Sequence, residues 1–206
     1  GIRAVAGLYK LFQETVKERS ELTVSIEQVT QLQGHDENDP DYFVNVRIGD
    51  VWFTNEGSQI TVDSDHQYEP IYPGWAFARN VGFTGTVPVW IELWDDDDGG
   101  AVDPDDQSDI FSESDSDAEE RAIWLNVDLA TGAISGDLTG TAGAQMCSEG
   151  DDEDRSRICF TILMPNQPPV ADAGSDLVVH EADSVTLNGT FTDANADDTH
   201  TVRWHL

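Results

Sequence analysis

Residues 87–109 read VPVWIELWDDDDGGAVDPDDQSD, and the change of character at Asp95 sets how the rest of the chain is read. Val87 to Trp94 is a short strand-like run, and it passes without a break into a loop of aspartates and glycines. Working outward, the same kind of run recurs. Leu22, Val24 and Ile26 alternate with Thr23, Ser25 and Glu27, and Val44, Val46 and Ile48 alternate with Asn45 and Arg47, the period-two pattern of half-buried strands. Further runs lie at residues 51–54, 59–62, 75–83, 123–129 and 157–163, separated by Gly, Pro, Asn and Asp turns. About eight strands with no convincing helix among them predict an all-β fold, an antiparallel β-sandwich over residues 21–164.

The 206 residues allow one full domain and part of another, and 6 Trp, 8 Phe and 4 Tyr can furnish a core. Before the first strand, Val5, Leu8, Leu11, Phe12 and Val16 recur at helical intervals, so residues 1–20 are expected to hold an N-terminal helix. It could belong to a preceding domain, serve oligomerisation, or pack on the body. After the sandwich, Pro165 to Pro169 (PNQPP) is a stiff connector, and residues 170–206 start a new, partial module. The chain is expected to continue past Leu206. The start GIRAVAGLYKLF has no long apolar stretch, and no run of about 18 apolar residues occurs that could span a membrane as a helix.

Asp and Glu number 41 against 10 Lys and Arg, a formal charge of −31. Nucleic acid and anionic lipid both require clustered cations, so neither is an expected partner. Aspartate exceeds glutamate by 27 to 14. Adaptation to high salt would scatter acids over the surface. Here they crowd into residues 36–41, 95–109, 115–120 and 151–154, which favours sites for a divalent cation. Packing carboxylates into one loop costs repulsion that a cation, or high salt, offsets.

Calcium takes six to eight oxygen ligands from flexible, glycine-containing loops. With Asp95 as position 1, Asp97 falls at 3, Gly100 at 6, Asp103 at 9 and Asp106 at 12, a partial match to an EF-hand loop preceded by a strand where a helix should be. A second acidic loop, GHDENDPDY (34–42), supplies Asp36, Asp39 and Asp41. The expected metal ligands are therefore Asp36, Asp39, Asp41, Asp95, Asp97, Asp103, Asp106 and Asp109, with Ca²⁺ as the cofactor. A solvated acidic surface is the competing reading. His and Cys are missing from the clusters, which argues against zinc.

Cys147 and Cys159 flank an acidic turn between strand ends and are expected to form a hairpin disulfide, with two free buried thiols as the alternative. Such a bond implies an oxidising compartment. Asn188-Gly189-Thr190 fits a glycosylation acceptor. The five histidines are dispersed, and no HExxH, GxSxG or phosphate-loop motif occurs, so no enzyme is expected.

The arrangement LTVSIEQVTQL (22–32), an acidic loop, DYFVNVRIGD (41–50) and later VWIELWDDDDGG (89–100) resembles a C2 domain over about residues 21–163. The resemblance implies that the two acidic loops hold two or three calcium ions between them, with Asp36 and Asp41 from the first, and Asp95, Asp97 and Asp103 from the second. Lacking a lysine-rich strand and apolar residues at the later loop tip, the chain is not expected to dock on phospholipid. Pro168 to Gly174 (PPVADAG), Glu181, Val185 to Leu187, Asp193 to Asp198 and Trp204 resemble the first half of a PKD domain, an immunoglobulin-like spacer and binding module. Together the two resemblances imply a non-catalytic, calcium-binding region of a large secreted or cell-surface protein. Calcium would rigidify loops and module spacing for adhesion or binding, and the expected partners are other modules of the chain or neighbouring copies. The rival readings are a subunit of an extracellular filament, sheath or surface layer, and an accessory region of a secreted hydrolase.

Overall fold

The computed structural model describes residues 21–33, 40–62, 68–96, 105–112, 121–151, 153–165, 169–172 and 188–193, with a few positions between 174 and 186. The expected helix over residues 2–19 lies outside them.

The body, Arg19–Pro165, is an antiparallel sandwich of two sheets. Its first strand, β1 (Glu21–Gln31), is followed by β2 (Asp41–Ile48), β3 (Val51–Thr54), β4 (Ile60–Thr61), β5 (Trp75–Asn80), β6 (Thr86–Asp95) and β7 (Asp106–Ser108). Then come β8 (Ile123–Asp128), β9 (Ala133–Gly136), β10 (Gly140–Thr141), β11 (Gln145–Glu149) and β12 (Ser156–Leu163). The smaller sheet runs β11-β12-β1-β5. The larger runs β10-β9-β8-β6-β2-β3, with β4 also on β2 and β7 on β6.

The alternating apolar residues explain the layering. Val44, Val46 and Ile48 of β2 and Val89, Ile91 and Leu93 of β6 are fully buried, facing Leu22, Val24 and Ile26 of β1 and Ile158, Phe160 and Ile162 of β12 across the interior. Phe53 meets Phe77 between the sheets, with ring centroids 6.2 Å apart. Burying such side chains contributes about 1.5 to 3 kcal/mol each before entropy is counted, so this layer is what holds the sandwich together. The tryptophans differ from the expectation of a core role. Trp52, Trp90, Trp94 and Trp124 occupy the positions that alternate with the buried ones, and so lie on the outer face of the larger sheet.

Two local features set register. A bulge in β1 between Ile26 and Gln28 inserts one residue, so the inward phase moves from Leu22, Val24 and Ile26 to Val29 and Gln31. At the β2–β3 hairpin, Gly49 adopts φ 65°, a conformation that favours glycine, and Arg79 reaches across to the Ile48 carbonyl and the Asp50 carboxylate.

Cys147 and Cys159 are directly opposed in β11 and β12 and are joined by a disulfide, with Cα atoms 4.1 Å apart. Near the other end of β12, Leu163 pairs with Thr23 of β1, so the body's first and last strands enter and leave side by side. Outside the body, β13 (Val170–Asp172) and β14 (Thr190–Thr192) form a separate two-stranded antiparallel sheet in which Ala171 faces Phe191.

Candidate metal centre

Because β2 and β6 are antiparallel neighbours, the start of one lies beside the end of the other, and Tyr42 pairs with Asp95. The acidic loop that leads into β2 and the one that leaves β6 therefore arise at a single pole. The Asp41 N–H donates to the Asp95 carboxylate at 2.6 Å, and the Asp96 N–H donates to the Asp41 carbonyl at 3.1 Å. Thr61 donates its hydroxyl to the Asp41 carboxylate, while Gln59 donates its side-chain amide to Asp96. On the other side of β6, Asp106 of β7 is the direct partner of Asp95. The structure thus brings Asp95 and Asp106 together as cross-strand partners, and Asp41 joins them through its backbone N–H, its carboxylate being bonded by Thr61 on the alternate face of β2.

Asp95 is 2% exposed, and beneath it lies a polar layer that bridges the two sheets. The Tyr42 hydroxyl sits 2.9 Å from Ser156 Oγ of β12, and Ser108 also hydrogen-bonds it. Burial drives the Tyr42 phenol well above its ordinary pKa, and the nearby Asp95 and Asp154 charges push the same way against the two serine hydrogen bonds. Gln31 of β1 is the cross-strand partner of Ser156 and faces the same interior. It is 1% exposed, and neither Oε1 nor Nε2 has a hydrogen-bond partner. A buried amide without partners costs roughly 1 to 3 kcal/mol, so it is a natural place for an additional oxygen-bound group.

Asp109 stands apart from this trio. It is 2% exposed, and its carboxylate accepts the Asp151 N–H at 2.8 Å and the Phe111 N–H at 3.2 Å. Its own carbonyl accepts the Ser156 N–H at 2.8 Å, and its N–H donates to the Asp154 carbonyl at 3.1 Å. Gly150 is required for this approach, because a Cβ there would stand 2.5 Å from the Asp109 carboxylate carbon. Asp109 thus ties the turn between β11 and β12 to the segment after β7. Arg121 adds a cation nearby, donating to the Gln107 carbonyl at 2.8 Å and lying 3.7 Å from the Asp154 carboxylate.

Of the other expected ligands, Asp36, Asp39, Asp97 and Asp103 lie outside the described residues. Among the described residues, no group of three or more His, Cys, Asp or Glu side chains is arranged to hold a metal ion. Sequence reading missed Gln31, because the β1 bulge reverses the face that simple alternation assigns to it. It also missed the Asp109 tie, which exists only through tertiary pairing.

No family model and no curated protein matches the chain. Among solved structures it is similar to human GIVD cytosolic phospholipase A2, at 11% identity and TM-score 0.38, covering 74% of this chain and 17% of that one. It is also similar to CC2D1B, which coordinates ESRCT-III activity during the mitotic reformation of the nuclear envelope, at 11% identity and TM-score 0.43, covering 80% and 64%. The chain therefore spans less than two thirds of the length of each.

Proposed function

We propose that the body is a C2-like, non-catalytic calcium-binding module of a secreted or cell-surface protein, followed by a PKD-type spacer. The observation that carries this reading is that both acidic loops arise at one pole, where Tyr42 pairs with Asp95 and Asp95 with Asp106. Asp95 and Asp106 alone fall short of the six to eight oxygens calcium takes. Asp36, Asp39, Asp97 and Asp103 would supply more from the loops, and Gln31 Oε1 is a buried neutral oxygen at the same pole. All of these are hard oxygen donors, as calcium requires. The ion would neutralise the carboxylates. The chain's own part is to hold Asp95 through the Asp41 N–H and to keep water from the Tyr42–Ser156 layer below.

Calcium that binds only the folded form stabilises it by RT ln(1 + [Ca²⁺]/Kd), and extracellular modules work at about 10⁻⁴ to 10⁻³ M. The body's ends lie at the opposite pole, so the stiffening falls on the acidic loops. The Cys147–Cys159 bond suits an oxidising compartment. Other modules of the chain, or neighbouring copies, are the proposed partners, and nucleic acid and phospholipid are not.

The test is thermal unfolding with millimolar calcium against ionic-strength-matched NaCl. Calcium is expected to raise Tm where NaCl does not, and Asp95→Asn combined with Asp97→Asn should remove the rise. An equal rise in NaCl would assign the acids to salt adaptation instead.

A further inference from the structure

The outer face of the larger sheet carries a second set of chemistry that the acidic pole does not use. Trp52 of β3, Arg47 of β2, Trp90 of β6 and Trp124 of β8 are successive cross-strand partners, so they form one row across four strands. Trp52 is 49% exposed and Trp124 39%. Beside this row Phe43, itself 3% exposed, packs against Trp94, ring centroids 6.4 Å apart and 18° from parallel. Between the row and this pair lie Asn45 and Glu92, themselves cross-strand partners.

The face is fixed before any partner arrives. The Glu92 carboxylate accepts the indole N–H of Trp90 at 2.8 Å and that of Trp94 at 3.0 Å, with the Asn45 amide 3.4 Å away. One carboxylate thereby sets the orientation of two indoles. The Arg47 guanidinium lies over Trp52 and Trp90, 5.3 and 5.6 Å from their centroids. Its Nε is buried without a hydrogen-bond partner, and no ion pair involves it among the described residues. In a chain with 41 acidic residues, this arginine is held by indoles, with no carboxylate among the described residues paired to it.

We infer that this face binds a neutral carbohydrate chain. Sugar rings present C–H faces that stack on the electron-rich faces of indoles, and they carry hydroxyls at their edges. The row of Trp52, Trp90 and Trp124, with Arg47 within it and Asn45 and Glu92 beside it, offers both kinds of contact. Four strands span three intervals of about 4.8 Å, so the row is roughly 14 Å long. That length suits a short run of sugar rings, whereas a stable protein interface buries about 800 Å² per partner with a continuous apolar centre. Charge decides between glycans. A polyanion would meet a chain of charge −31, while a neutral polymer meets no repulsion.

The experiment is affinity electrophoresis of the whole chain, with EDTA present, through gels containing mixed-linkage β-glucan, glucomannan, arabinoxylan or alginate. At least one neutral polysaccharide is expected to retard the protein and change its tryptophan fluorescence. Trp52→Ala and Trp124→Ala should each weaken retardation about tenfold, Arg47→Ala should also weaken it, and Tyr72→Ala, an exposed aromatic elsewhere, should not. Near-UV circular dichroism confirms that the variants fold. The inference is overturned if no neutral polysaccharide retards the chain, if the Trp variants migrate like the parent, or if alginate binds most tightly. Self-association that Trp52→Ala abolishes in sedimentation would overturn it too, by giving the face to a second copy. Because EDTA is present throughout, failure here leaves the calcium reading standing, and loss of calcium binding leaves this one standing.

Discussion

The acidic pole and the tryptophan face lie on the same larger sheet, and they are built in opposite ways. At the pole, carboxylates sit at strand ends, and their geometry is completed by loops and by the other sheet through Tyr42 and Ser156. On the face, every side chain projects from a strand interior, and Glu92 locks its neighbours along one strand. A strand-end site depends on tertiary ties, whereas a strand-interior face depends mainly on register. Perturbations should therefore separate the two.

The largest separation is expected from removing the disulfide. Replacing Cys147 and Cys159 by Ala, or reducing them, should lower stability by about 3 kcal/mol in urea unfolding, since a loop of this size is freed in the unfolded chain. The hairpin it staples ends in the turn at the acidic pole, so calcium affinity should fall while glycan retardation of the folded protein holds. Asp109→Ala comes next. Leaving the Asp151 and Phe111 N–H groups without their acceptor should cost about 2 kcal/mol, again with the face unaffected. Tyr42→Phe removes the hydroxyl that links the sheets under Asp95 and should cost about 1 kcal/mol by chemical unfolding. The smallest effect on stability belongs to the face itself. Trp52→Ala, half exposed on a short strand, should change stability by about 0.5 kcal/mol or less while abolishing most retardation. If Trp52→Ala instead destabilised the body as much as Asp109→Ala, the face would be a packing surface and the contrast would fail.

Much of this architecture could be read from the chain because period-two alternation is strong where a strand is covered on one side. The runs around Val24, Val46, Ile91 and Phe160 all became central strands, and the two cysteines met as expected. The weaker strands β9 and β10 escaped notice. They are short, contain Gly136 and Gly140, and take their place from neighbours already formed. Of the site, the expectation that the two acidic loops work together agrees with the pairing of Tyr42 with Asp95, which roots both at one pole, whereas Asp36, Asp39, Asp97 and Asp103 lie outside the described residues. Gln31 was hidden by the bulge after Ile26, because one inserted residue reverses the assignment of everything beyond it. The tryptophans were counted as core material by their hydrophobicity, although their alternation with Val89, Ile91 and Leu93 already placed Trp90 and Trp94 outward.

The pairing of Thr23 with Leu163 also fixes how the body responds to tension. A tensile force applied through the chain on either side loads adjacent antiparallel strands at the same end. The β1–β12 ladder then opens rung by rung, like a zipper, instead of resisting with all its hydrogen bonds at once. The fracture starts at the pole away from Asp95 and Asp106, so the roots of the acidic loops lie outside the load path until the last rungs give way.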